Sequence, residues 1–153
     1  MKFNALAHLA FKVSDIDRSL DFYCGKLGLR QVLSITYGQL MEGVGREIPS
    51  LKGRENELWL TYIEFAPRQF VELFTAVPGM ERGVCDDNHI GYLHFALEVE
   101  DIHAAKAELE AAGVEITSGP SFGPEKTWQM WVADPDGNRF EMMQYTPESW
   151  QLR

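Results

Sequence analysis

The feature that most constrains this chain is an internal repeat. His8-Leu9-Ala10-Phe11-Lys12-Val13-Ser14-Asp15-Ile16 overlays His94-Phe95-Ala96-Leu97-Glu98-Val99-Glu100-Asp101-Ile102, with five of nine positions identical. In each copy apolar residues alternate at period two, Leu9, Phe11 and Val13 in the first and Phe95, Leu97 and Val99 in the second, the pattern of a strand with one buried face. The period then becomes helical: Ile16, Leu20, Tyr23 and Leu27, and again Ile102, Ala105, Leu109 and Ala112. Asp15 and Asp101 stand where N-caps are expected, and Gly28 and Gly113 fit the left-handed position that ends a helix. Both copies read strand, helix, strand.

Further strand-like runs follow each helix: Arg30 to Tyr37, Leu58 to Phe65 and Gln69 to Ala76 in the first half, then Val114 to Ser118, Thr127 to Ala133 and Arg139 to Tyr145. Asp134-Pro135-Asp136-Gly137 is a turn signal between the last two. The fold expected is α+β, two tandem βαβββ modules, about 1–80 and 89–147, within one domain, each with a helix on one face of a small mixed sheet. The break falls near Pro78 to His89. From His8 to Glu72 is 64 positions and from His94 to Glu141 is 47, so the first module carries 17 extra residues, placed in an exposed loop over Gly38 to Glu57.

Composition narrows the function classes. The 153 residues carry 14 Lys plus Arg against 23 Asp plus Glu, a formal charge of -9, so no basic stripe for nucleic acid is expected. No run approaches the roughly 18 apolar residues of a membrane span, and the N-terminus has no apolar leader, so a cytoplasmic protein with no membrane partner is expected. Cys24 and Cys85 have no paired spacing and read as buried or idle thiols.

Strand alternation decides which side chains share a face. With Leu9, Phe11 and Val13 turned to the helix, His8, Ala10 and Lys12 point the other way, and His94, Ala96 and Glu98 do the same. In Phe70-Val71-Glu72-Leu73-Phe74, Glu72 lies opposite Val71 and Leu73; in Arg139-Phe140-Glu141-Met142-Met143, Glu141 lies opposite Phe140 and Met142. Each module thus offers one imidazole and one carboxylate from matching strands. A Glu between apolar neighbours is costly to bury unless paired or metal-bound, and two imidazoles with two carboxylates suit a borderline divalent ion. His8, Glu72, His94 and Glu141 are therefore expected to hold one divalent metal, around which the two modules cup. Phe70, Phe74, Met143 and Arg139 share the glutamate faces and are candidate substrate contacts, Arg139 for an anionic group. Of Trp128 and Trp131 only one can share that face; His89 and His103 are assigned to a loop and a helix away from it.

These residues resemble the glyoxalase I members of the vicinal oxygen chelate superfamily from His8 to Tyr145. The likeness rests on the His8 strand followed by Ser14-Asp15-Ile16-Asp17-Arg18-Ser19-Leu20-Asp21-Phe22-Tyr23, on Phe70-Val71-Glu72-Leu73, on His94-Phe95-Ala96-Leu97, and on Asp134-Pro135-Asp136-Gly137-Asn138-Arg139-Phe140-Glu141. The resemblance implies an octahedral site for Ni, Co, Zn, Mn or Fe with two exchangeable waters, and a homodimer is the expected assembly. Extradiol dioxygenases and fosfomycin-modifying enzymes generally use two His and one carboxylate, and methylmalonyl-CoA epimerases usually have Gln at the position of Glu72. The full set here is most similar to glyoxalase I, which isomerises the thiohemiacetal of methylglyoxal and glutathione.

The resemblance implies a metal-dependent isomerase or lyase acting on a small α-oxygenated carbonyl compound through an enediolate, with Glu141 as first choice of base and Glu72 as second. Its rivals are another enzyme of the superfamily, a dioxygenase or thiol transferase, and a non-catalytic ligand-sequestering resistance protein. Glyoxalase I typically has an Arg four residues after its first His and an Asn four after its first Glu, both contacting glutathione. Here these are Lys12 and Ala76, so Lys12 is expected to hold a substrate carboxylate only as a point charge, and glutathione dependence is doubtful.

Overall fold

In the computed structural model, which describes residues 1–2, 4–83, 88 and 90–153, the chain forms two compact units, Met1–Met80 and Glu81–Arg153. Cys85 and His89 lie outside the described residues. In the first unit β1 (His8–Val13) leads to α1 (Ile16–Leu20), whose N-cap Asp15 accepts a hydrogen bond from the Arg18 N–H. The helix runs on as a wider, π-type turn over Asp21–Lys26 and ends at Gly28, whose φ of 69° suits a residue without Cβ. Strands β2 (Arg30–Thr36), β3 (Leu58–Ala66) and β4 (Gln69–Thr75) follow. The sheet order is β1-β4-β3-β2, with β1 parallel to β4 and the rest antiparallel.

The second unit repeats this plan. Its elements are β5 (Phe95–Glu98), an α-helix over Ile102–Ala111, β6 (Ile116–Phe122), β7 (Trp128–Ala133) and β8 (Arg139–Gln144), in sheet order β5-β8-β7-β6. Asp101 caps the helix by accepting from the His103 and Ala104 N–H groups, which hold its carboxyl below the usual value. The turn before β8 is built as its sequence indicates: Asp134 accepts from the N–H groups of Asp136 and Asn138.

Two expectations need correction. The stretch Gly38 to Glu57 is not simply an exposed loop. Tyr37–Val44 forms a helix, α2, the helix over Ile102–Ala111 therefore being α3, and Pro49–Leu51 makes a short 3-10 turn. The causes are local: Thr36 and Gln39 form a reciprocal capping box, Gly45 ends the helix at φ 67°, and Tyr37, Leu40, Met41 and Val44 recur at helical spacing. Tyr37 and Leu51 are buried by it. Strand β6 starts two residues later than expected and runs on to Phe122. Gly119, at φ 90°, permits this, since a Cβ there would stand 2.7 Å from the Gln129 carbonyl oxygen of β7.

The cores lie between each helix and its sheet. Val13, Tyr23, Ile63, Val71 and Leu73 are buried in the first unit, and Ile102, Met130, Val132 and Phe140 in the second. Phe140 is fully buried and stacks on Phe95 at a centroid distance of 5.2 Å. It lies on the face of β8 opposite Glu141, so its removal tests the core apart from the site. Phe140→Ala is expected to lower unfolding free energy by about 3 to 5 kcal/mol, read as a shift in the urea midpoint; a loss under about 1 kcal/mol would contradict this packing.

Candidate metal centre

In the first unit the parallel ladder pairs His8 with Phe70, Ala10 with Glu72 and Lys12 with Phe74. The β3–β4 ladder pairs Tyr62 with Glu72 and Glu64 with Phe70. Cross-strand partners share a face, so His8, Lys12, Tyr62, Phe70, Glu72 and Phe74 are gathered on one side of this sheet, away from the buried Val71 and Leu73. Glu72 is only 7% exposed. His8 Nε2 stands 3.6 Å from Glu72 Oε2, too long for a hydrogen bond. The Tyr62 ring meets His8 edge-on at 5.7 Å and Phe70 at 5.8 Å. Burial first, then hydrogen bonding to the Glu72 carboxylate and its charge, raise the Tyr62 phenol above its ordinary value. Lys12 Nζ sits 5.4 Å from the centre of the Phe74 ring, a cation–π contact that leaves the ammonium accessible to an anion.

In the second unit His94 immediately precedes β5, and the ladders pair Ala96 with Glu141, Trp131 with Glu141, and Met143 with both Glu98 and Gln129. Glu141 is 7% exposed, and His94 Nε2 stands 3.5 Å from its Oε2. The Trp131 ring lies edge-on to His94 at 4.6 Å, with the Arg139 guanidinium over it at 4.9 Å. Burial, and then the Arg139 charge, lower the His94 imidazole from its ordinary value, favouring the neutral form that ligates metals. Burial, and then the charge of Glu125, raise the Glu141 carboxyl.

The choice between the two tryptophans, open in the sequence, is settled by register: Trp131 shares the Glu141 face, while Trp128 packs against His103 at 5.1 Å. Two residues were missed. Tyr62 lies in an alternating strand with nothing in its local sequence to show which carboxylate it would oppose, and Glu125 sits in the β6–β7 connection. Cys24 is half-buried, and burial pushes its thiol up despite a backbone hydrogen bond from Gln31, so it is a poor thiolate.

Among the described residues, no group of three or more His, Cys, Asp or Glu side chains is placed to hold a metal ion. Each unit holds one His–Glu pair. The chemistry of the pairs suits a borderline divalent ion, and so does their spacing: two N/O donors on one such ion, each at about 2.1 Å, stand roughly 3 to 3.5 Å apart. The observed separations of 3.6 and 3.5 Å are close to that and longer than an imidazole–carboxylate hydrogen bond.

The sequence pattern described as the Glyoxalase/Bleomycin resistance protein/Dioxygenase superfamily matches residues 5–142. The chain is 30% identical over 142 residues to a "Probable lactoylglutathione lyase" of a Synechocystis strain, covering 91% of this chain and 94% of that protein. It is 28% identical over 145 residues to a lactoylglutathione lyase of Arabidopsis thaliana, covering 92% of this chain but only 44% of the plant protein, so the chain spans less than half the length of that relative. Among solved structures, an antibiotic-binding protein from a Streptomyces species superposes with a TM-score of 0.64 at 22% identity, over 95% of this chain and 99% of that one, a likeness of fold.

The electrostatics of the second pair give a direct test. Glu125→Gln removes a like charge, so the Glu141 carboxyl of the metal-free protein is expected to titrate lower, yet still above an ordinary Glu because burial is the larger cause. The folded form holds this proton more tightly than the unfolded one. Its stabilising contribution is therefore complete below the ordinary carboxyl value and lost as pH rises through the raised one. Carbon-detected NMR titration reads the shift; an unmoved Glu141 resonance would remove Glu125 as a cause.

Proposed function

The chain belongs to the glyoxalase/bleomycin resistance protein/dioxygenase superfamily, and on that premise we propose that it is a metal-dependent, glyoxalase I-like isomerase or lyase of a small α-oxygenated carbonyl compound. The observation that carries this reading is the duplicated His–Glu pair: in both units the glutamate pairs across the parallel ladder with the alanine two residues after the histidine, and the His–Glu separations are nearly equal. His8, Glu72, His94 and Glu141 would together hold one divalent ion, the two pairs coming from one chain or from two copies in a homodimer. When bound, the ion supplies a Lewis acid that polarises neighbouring substrate oxygens and stabilises negative charge developing on them.

The chain's own residues do the rest. Glu141 is the base: one of its carboxylate oxygens takes the proton from the carbon beside the carbonyl and returns it to the neighbouring carbon. Its raised affinity for a proton brings it closer to the operating pH, where general bases are most effective. Arg139, held over Trp131, and Lys12, held over Phe74, are available to an anionic substrate group. Phe70, Phe74 and Met143 provide apolar contact area beside the two carboxylates.

Two variants test the assignment of roles. His94→Ala is expected to abolish stoichiometric metal uptake in elemental analysis of purified protein, and retention at wild-type level would place the metal elsewhere. Glu141→Gln keeps an oxygen donor but cannot accept the proton, so it should retain most of its metal while turnover falls by about 10² or more. Full activity in that protein would move the base to Glu72.

Substrate choice is tested separately. Loss of a bidentate Arg contact at Lys12 and of an amide hydrogen bond at Ala76 removes about 2 to 4 kcal/mol of binding to glutathione, at about 1 to 2 kcal/mol for each. This corresponds to roughly 30- to 1,000-fold. Methylglyoxal with glutathione is therefore expected to be a poor substrate of the Ni- or Co-loaded enzyme. A kcat/KM at or above about 10⁵ M⁻¹s⁻¹, an ordinary enzyme value, would show that other residues replace the missing contacts.

A further inference from the structure

The two glutamates match in ladder position, each paired with an alanine, but not in the side chain that faces the carboxylate from the neighbouring antiparallel strand. Opposite Glu72 stands Tyr62, and opposite Glu141, at the equivalent register, stands Trp131. Directly opposed residues on one sheet face have Cβ atoms about 4.5 to 5.5 Å apart, so a phenol at that position projects alongside its neighbour's carboxylate. The Tyr62 ring is itself held edge-on between His8 and Phe70, at 5.7 and 5.8 Å, which limits where its hydroxyl can go. Trp131 has no hydroxyl, and its ring is engaged with His94 and Arg139. The two carboxylates, equally buried at 7% exposure, thus have different cross-strand neighbours: a tyrosine, whose ring is held between His8 and Phe70, and a tryptophan.

Resting on the function proposed above, we propose that Tyr62 is a positioning residue: its hydroxyl donates to Glu72 and holds that carboxylate as the fixed metal donor, leaving Glu141 as the one free to swing and move the proton. A carboxylate that ligates through one oxygen keeps lone pairs for an outer partner, and such partners orient metal ligands and set their affinity. The arrangement divides two roles that conflict in a single side chain. A donor that anchors the ion must not leave it, while a donor that shuttles a proton must.

Tyr62→Phe keeps the ring and its contacts with His8 and Phe70 and removes only the hydroxyl. With Ni²⁺ or Co²⁺ as the probe and a chromophoric chelator as competitor, this variant is expected to bind the ion 10- to 100-fold more weakly than wild type, the usual effect of losing an outer partner. The metal-free melting temperature should be unchanged. A second readout needs no metal: in Glu72→Ala the Tyr62 phenol, isolated by difference absorbance against the matching Tyr62→Phe double variant, should titrate at lower pH than in wild type. Equal metal affinity in wild type and Tyr62→Phe overturns the proposal, as does a phenol that does not move. If wild type takes up no metal while the phenol still shifts, the metal reading itself has failed; the hydrogen bond stands, and the ligand-positioning role falls with that reading.

Discussion

In each unit a parallel ladder joins the first strand to the last, β1 to β4 and β5 to β8, and both candidate glutamates owe their place to it. The ladder sets Ala10 beside Glu72 and Ala96 beside Glu141. In both units the neighbour of the carboxylate across the parallel seam is therefore a single methyl group, which leaves room for the imidazole two positions earlier to reach over to the glutamate. Parallel pairing requires a crossover rather than a hairpin, and the helices supply it. Their packing against Val13, Val71 and Leu73, or against Met130, Val132 and Phe140, fixes which face of each sheet is left for chemistry. A one-residue slip in either ladder would turn the glutamate into the core and an apolar side chain outward.

Within this shared frame the two carboxylates have diverged. Burial, and then the nearby Glu125, raise the Glu141 carboxyl above its ordinary value, while burial, and then Arg139, lower the His94 imidazole. Glu72 instead faces a phenol fixed between two rings. The glutamates stand at symmetric ladder positions, and Tyr62, Trp131, Glu125 and Arg139 make the two halves chemically different. In the function proposed above, such an asymmetry would let anchoring and mobility reside in different side chains.

Family membership supports the chemistry more than the substrate. The match covers residues 5–142, yet relatives of this fold include lactoylglutathione lyases as well as an antibiotic-binding protein. Lys12 and Ala76 are where this chain parts from the glutathione-contacting pattern of the glyoxalase I members it resembles. The structure shows Lys12 resting on the Phe74 ring, with a mixed aromatic and cationic surface beside Glu72.

The sequence by itself determined the repeat, the strand and helix periods, the caps at Asp15 and Asp101, and the faces on which His8, Glu72, His94 and Glu141 lie. All of these follow from local periodicity and short-range hydrogen bonding, which a single chain displays directly. It also held the signals for α2, a capping box at Thr36 and Gln39 and apolar residues at helical spacing, but glycines and charges in the same stretch concealed them. Only the tertiary structure decided that Tyr62 faces Glu72, that Trp131 rather than Trp128 accompanies Glu141, and that Glu125 adds its charge to the second pair. Those neighbours are set by the register of strands brought together from distant parts of the chain, which depends on how long each loop is and where each bulge falls, and no local pattern records it.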